Sequence, residues 1–141
     1  MATSFKVGFT RNAMFDKIAS GSLAGAGTSS VNVDLSGVGA TGVGSSTTGA
    51  FEGSFLISNT PGASVSGTAG LQVQAFEGFG TTPTFATIPT QTLIIPSVAS
   101  TLASATMRLG PGIWKILLTN LDASNAVTVG VTSNTVDSVT G

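Results

Sequence analysis

Residues 101–132 read TLASATMRLGPGIWKILLTNLDASNAVTVGVT, and the fold is decided on this stretch. In 101–109, Ala103, Ala105, Met107 and Leu109 share one parity; in 126–132, Val127, Val129 and Val131 alternate with Thr128, Gly130 and Thr132. A period of two marks a strand with one buried face. The GPG at 110–112 and the DASN at 122–125 are turn-forming sequences. Three consecutive strands are therefore predicted, with the last two, IWKILLTNL and AVTVGVT, joined as a hairpin.

The same period appears upstream. SFKVGF at 4–9 alternates Phe5, Val7 and Phe9 with small or polar residues, and SSVNVDL at 29–35 alternates Val31, Val33 and Leu35. AFEGSFLIS (50–58), the turn NTPGAS (59–64) and LQVQAFEGF (71–79) add two more strands. Pro83, Pro89 and Pro96 restrict the next stretch to extended or edge segments around TLII. One segment departs from the pattern. In TRNAMFDKIASG (10–21), Met14 and Ile18 lie four apart and Gly21 is a natural stop, which predicts one short N-terminal helix. The glycine-, serine- and threonine-rich residues 37–49 lack periodic apolar positions and read as a mobile loop. A single domain over residues 1–141 is expected: an N-terminal strand and helix (1–25), the loop at 37–49, and the C-terminal strands and hairpin (101–132). About eight or nine short strands separated by turns predict an all-β, antiparallel β-sandwich.

Charge is the abnormal quantity. Only 8% of the 141 residues are Asp, Glu, Lys or Arg, and the net charge is −1, against about 25% charged residues in an average domain. No field of one sign exists to steer nucleic acid or anionic lipid. Nineteen glycines, 18 serines and 21 threonines must supply most of the polar surface, as expected of a subunit covered by neighbours. No apolar run reaches the ~20 residues needed to cross a bilayer. The N-terminus is interrupted by Lys6, Arg11, Asp16 and Lys17, so no secretory leader is predicted and the expected route is cytoplasmic.

Chemistry finds few carriers here. With no cysteine, histidine or tyrosine, thiolate ligands, the commonest metal ligand and the commonest general base are all missing. The only glutamates, Glu52 and Glu77, occupy two copies of Ala-Phe-Glu-Gly. A shift of 25 residues aligns those four positions and nothing around them, so they are not an internal repeat. Parity sends Glu52 away from the core but Glu77 into it, and a β-bulge near Phe76–Gly78 is expected to release Glu77. A glycosidase-like pair requires convergence on one pocket at about 5–10 Å, which nothing in the sequence supplies. Asp122 in NLDASN is expected to cap its turn and not to bind calcium, because no D-x-[DN]-x-[DN]-G loop is present. No catalytic residue, cofactor or metal is assigned.

RNAMFDKIASG (11–21) and GPGIWKILLTNLDASNAVTVGV (110–131) resemble, respectively, the opening of some small phage structural proteins and the closing strands of many virion and adhesion sandwiches. On these residues the chain resembles tailed-bacteriophage virion accessory proteins, in particular the jelly-roll capsid decoration (cement) proteins. The resemblance implies a structural, non-enzymatic role on the capsid surface, the major capsid protein as partner, assembly in the host cytoplasm, and a homo-oligomer, with a trimer favoured. Neither nucleic acid nor membrane is expected as a partner. A glycan-binding fibre module and a self-assembling surface-layer or fibre unit are the alternatives.

Two patches are the candidate interface. Both faces of 113–121 are apolar; Trp114, Ile116 and Leu118 form one of them, and Trp is a frequent interface anchor. Phe76, Phe79 and Phe85 lie on or just after a poorly alternating strand and form the second patch.

Overall fold

The computed structural model describes residues 6–12, 21–35, 52–65, 70–80 and 82–140. Ten strands follow in chain order: β1 (Lys6–Asn12), β2 (Gly21–Leu23), β3 (Thr28–Leu35), β4 (Glu52–Pro61), β5 (Gly70–Phe79), β6 (Thr84–Phe85), β7 (Gln91–Pro96), β8 (Ala103–Leu109), β9 (Gly112–Asn120) and β10 (Val127–Thr140). All ladders among them are antiparallel.

One sheet runs β1-β10-β4-β8, with β2 also on β10; the other runs β3-β9-β5-β6, with β7 also on β5. The register merges four of these strands into two. β1 pairs with residues 133–140 of β10 and β2 with 127–129, on the edge opposite β4. β6 and β7 likewise share the edge of β5 opposite β9. Eight strand positions result, four per sheet, and nearly every connection crosses from one sheet to the other. That order is the jelly roll, which the sandwich expectation anticipated.

Alternation fixes the core. Phe55 and Ile57 of β4, Met107 and Leu109 of β8, and Val127, Val129 and Val131 of β10 face Val33, Val73, Ile116 and Leu118 of the opposite sheet, all buried. Burying one such side chain contributes roughly 1.5–3 kcal/mol, so the two inner faces are the main source of stability.

Three expectations change. β9 and β10 do not form a hairpin: β9 pairs with β3 and β5, and β10 with β1, β2 and β4. The six residues 121–126 instead span the gap between stacked sheets, about 10 Å. Period-two alternation marks a strand but is silent on which sheet receives it. The bulge expected near Phe76–Gly78 is also not there, since β5 stays in unbroken register with β9 from Leu71 to Gly78. The irregularity lies on the other side of β5, where Ala86 and Thr90 N–H still donate to the Glu77 and Ala75 carbonyls but residues 87–89 loop out between β6 and β7. Of the expected N-terminal helix, Thr10–Asn12 belong to β1 and Gly21 to β2; residues 13–20, like the loop at 37–49, lie outside the described residues.

Candidate functional site

Trp114, Ile116 and Leu118 point into the sandwich. They belong to the hydrophobic core, with relative exposures of 6%, 0% and 1%, and the Trp114 indole N–H donates to the Gly110 carbonyl at 2.9 Å. They therefore hold the fold and are not available to a partner. The outward side of β9 is Ile113, Lys115, Leu117 and Thr119, all half-buried. Sequence parity could not decide between the two sides, because both are mainly apolar.

The aromatic patch is partly assembled. Phe76 lies opposite Lys115 across the β5–β9 ladder. The Lys115 ammonium sits 4.9 Å from the Phe76 ring centroid and 5.3 Å from that of Phe85. This cation–π arrangement and its neighbours leave Phe76 buried and Phe85 half-buried. Phe79, at the end of β5, is separate from them in parity and exposed. Lys115 is thus an organising residue that the sequence reading passed over; only the cross-strand register reveals it.

The two glutamates belong to different sheets: Glu52 pairs with Val136 and Glu77 with Trp114. Glu77 keeps the core-facing parity but sits near the end of β5 and is half-buried, so its position at the rim exposes it without any bulge.

One end of the sandwich forms a distinct surface. The turns 24–27 and 62–65 and the loops 97–102 and 121–126 gather there, far apart in sequence but bonded to each other. Ala26 N–H donates to the Asp122 carbonyl at 2.7 Å, Leu121 N–H to Gly70 at 2.9 Å, and Ser100 N–H to Gly62 at 3.0 Å. The Asn120 amide is the central tie. Its Nδ2 donates to the carbonyls of Leu23 (3.2 Å), Ala24 (3.0 Å) and Asn125 (2.8 Å), and its Oδ1 accepts from Asp122 N–H at 3.0 Å. Asp122 Oδ1 in turn accepts from the N–H groups of Ser124 and Asn125, each at 2.9 Å, which is turn capping. Gly25 permits the close approach: a Cβ there would lie 2.7 Å from the Ser124 carbonyl carbon. Asn59 of β4 ties in the remaining loop by donating to the Pro96 carbonyl and to Ser97 Oγ, at 3.3 and 2.9 Å.

This end displays no exposed charge among the described residues. Its one ionisable residue, Asp122, is buried. Glu77, Arg108 and Lys115, and by register Lys6, Arg11, Asp34, Glu52 and Asp137, all lie toward the opposite end. Beside the small hydroxyl residues Ser64, Ser100, Thr101 and Ser124, its large exposed side chains are apolar: Val98 at 54%, Leu102 at 64% and Leu121 at 42%. Among the described residues, the two non-glycine residues with positive φ, Ala26 (54°) and Ser100 (53°), are in these same loops. Single apolar residues were legible in the sequence; their gathering from separate loops was not.

No protein-family model and no curated protein matches the sequence. Similar solved structures include dimeric latent PorU from Porphyromonas gingivalis (10% identity, TM-score 0.47, covering 99% of this chain but 13% of PorU). Others are a family 16 carbohydrate binding module (11%, TM-score 0.39, 84% and 72%) and the cowpea mosaic virus top component, a naturally occurring empty particle (10%, TM-score 0.41, 100% and 88%). Viral capsid proteins and carbohydrate-binding modules thus both occur among distant structural likenesses. The strand order itself, not these likenesses, defines the jelly roll.

Proposed function

We propose that this chain is a non-enzymatic virion structural protein, a capsid decoration or cement subunit that bridges neighbouring major capsid protein subunits on the particle surface. The observation that carries the reading is the charge-free end. Hydrogen-bonded loops hold Val98, Leu102 and Leu121 on a preorganised surface, so little ordering entropy opposes docking. Contact there is apolar, and adhesion works by burying that surface between shell subunits. The test is co-sedimentation of the purified chain with capsid shells from its source, at low salt and at about 1 M NaCl, where charges are screened beyond ~3 Å. Binding is expected in both conditions and lost when Leu102 and Leu121 are both replaced by Asp. Binding that fails at high salt, or persists in the double variant, overturns the reading.

A glycan-binding role is the second reading, and the outward face of the β3-β9-β5 sheet favours it. There Asn32, Gln72 and Gln74 flank the Phe76–Lys115–Phe85 group, offering amides beside aromatic carbon. The burial of Phe76 weighs against it, since a sugar platform needs an open ring. Glycan-array binding abolished by Gln74→Ala in a folded protein would favour this second reading over the first.

A further inference from the structure

Four edges bound the two sheets, and three carry features that obstruct further pairing. On the β1/β2 edge, β1 ends opposite Ser133 of β10 and β2 begins opposite Val129, so the two described strands are not continuous along it. The β6/β7 edge is interrupted between Phe85 and Gln91 and bears Pro89 and Pro96. On β8, the Arg108 carbonyl is occupied by Gln91 Nε2 at 2.6 Å, and Arg108 adds an exposed charge. Breaks, prolines, charges and covering side chains are the usual protections of a sheet edge. Among the described residues, β3 has only one of them, the charge of Asp34 next to its end. It runs eight uninterrupted residues, TSSVNVDL, without proline, lysine or arginine, and Thr28, Ser30 and Asn32 are exposed.

The direction of its backbone groups follows from the ladder. Asn120 N–H donates to the Gly27 carbonyl at 2.9 Å, in line with the register that pairs Thr28 with Thr119. Hydrogen-bonded pairs recur at every second residue of an antiparallel ladder, so the odd-numbered residues of β3 bond to β9. Residues 28, 30, 32 and 34 direct their N–H and C=O groups to the open edge.

We propose that this edge pairs with β3 of a second copy, antiparallel about a two-fold axis at Val31, to make one continuous sheet across the dimer. Three features select the second copy as occupant. A one-residue slip would turn Val31 and Val33 to the solvent face, so only same-parity registers are allowed. Among those, Val31 opposite Val31 pairs 28 with 34, 30 with 32, 32 with 30 and 34 with 28. Two bonds per pair make about eight, and a shift by two residues reduces them to about six. Asp34 falls opposite Thr28, so the ionisable residues of the two copies do not meet, and a net charge of −1 per chain opposes association little. On the inner face the two Val31 side chains meet, extending the cores toward each other. This strand addition leaves the charge-free end outside the joint.

Sedimentation equilibrium of the full chain over a range of concentrations tests the proposal. Wild type is expected to form a dimer. Ser30→Pro removes an N–H that β9 does not use, so the fold tolerates it, yet it blocks pairing and should raise the dimer dissociation constant roughly tenfold or more. Asn32→Lys should act likewise if proline proves disruptive. Because the chain has no cysteine, Val31→Cys should cross-link to itself on oxidation, the Cα atoms being about 4.5 Å apart in such a pair. Ser29→Cys, opposite Val33, should not. A monomer at all concentrations, a trimer, or a dimer insensitive to both edge variants overturns the proposal. So does equal cross-linking of Ser29→Cys and Val31→Cys. Amide-exchange protection of Ser30 and Asn32 in the dilute monomer would show the edge covered by the chain itself, and overturns it too.

Discussion

Asn120→Ala is the sharpest test of how the charge-free end is held. The Asn120 side chain is 1% exposed and takes part in four hydrogen bonds, three donated to backbone carbonyls and one accepted from Asp122 N–H. Each such bond contributes about 1 kcal/mol net, and a buried group left unpaired costs about 1–3 kcal/mol. Leu23 O and Asp122 N lie at buried sites, while the other two bonds are partly accessible and regain water. The expected loss is therefore about 3–4 kcal/mol. With an unfolding entropy of about 2.1 cal/mol/K per residue over 141 residues, that corresponds to a Tm lowered by roughly 10 °C. Urea unfolding should show the lower midpoint with an unchanged slope, because the surface exposed on unfolding is the same. Amides of 24–27 and 121–126 should exchange first, as the ties between these loops loosen. A loss below about 1 kcal/mol with those amides still protected would refute the argument that Asn120 holds the loops together.

Trp114→Ala should cost about 3–5 kcal/mol by opening a cavity, whereas Trp114→Phe should cost less, because the Gly110 carbonyl it releases is on an exposed residue and regains water; chemical denaturation separates the two. Ala26→Gly and Ser100→Gly relieve left-handed backbone at φ near 54°, so each should raise stability by up to about 1 kcal/mol, read as a higher Tm. Lys115→Met should lose no more than about 1 kcal/mol with its cation–π contacts, measurable by urea unfolding. Leu102→Asp with Leu121→Asp should lower Tm only modestly, since Leu102 is largely and Leu121 partly exposed, while abolishing co-sedimentation with shells. Gly25→Ala should lower Tm, because the backbone of 123–124 stands where the new Cβ must go.

Much of this architecture is local information. Alternation in β8 and β10 assigned Met107, Leu109, Val127, Val129 and Val131 to one face, and they are buried together. The prolines at 83, 89 and 96 predicted an edge, and β6 and β7 are one. Asp122 was legible as a turn cap because an Asx turn is made by residues close in sequence. All of these depend on a side chain and its near neighbours along the chain.

What the tertiary structure alone decided depends on residues far apart. A two-residue period identifies β9 and β10 as strands, yet their places in opposite sheets follow from which long-range pairings bury the most surface. The two apolar sides of β9 left its orientation open until the opposite sheet covered Trp114. Lys115 became significant only when register placed it across from Phe76. The charge-free end consists of residues from four loops, spread between positions 24 and 126. By itself the sequence determined a sparsely charged, antiparallel β-domain with a known set of inward residues. The sheet order, the open edge of β3 and the gathering of Val98, Leu102 and Leu121 were settled by the crossing of chain segments between two packed sheets, because alternation specifies a face but not a neighbour.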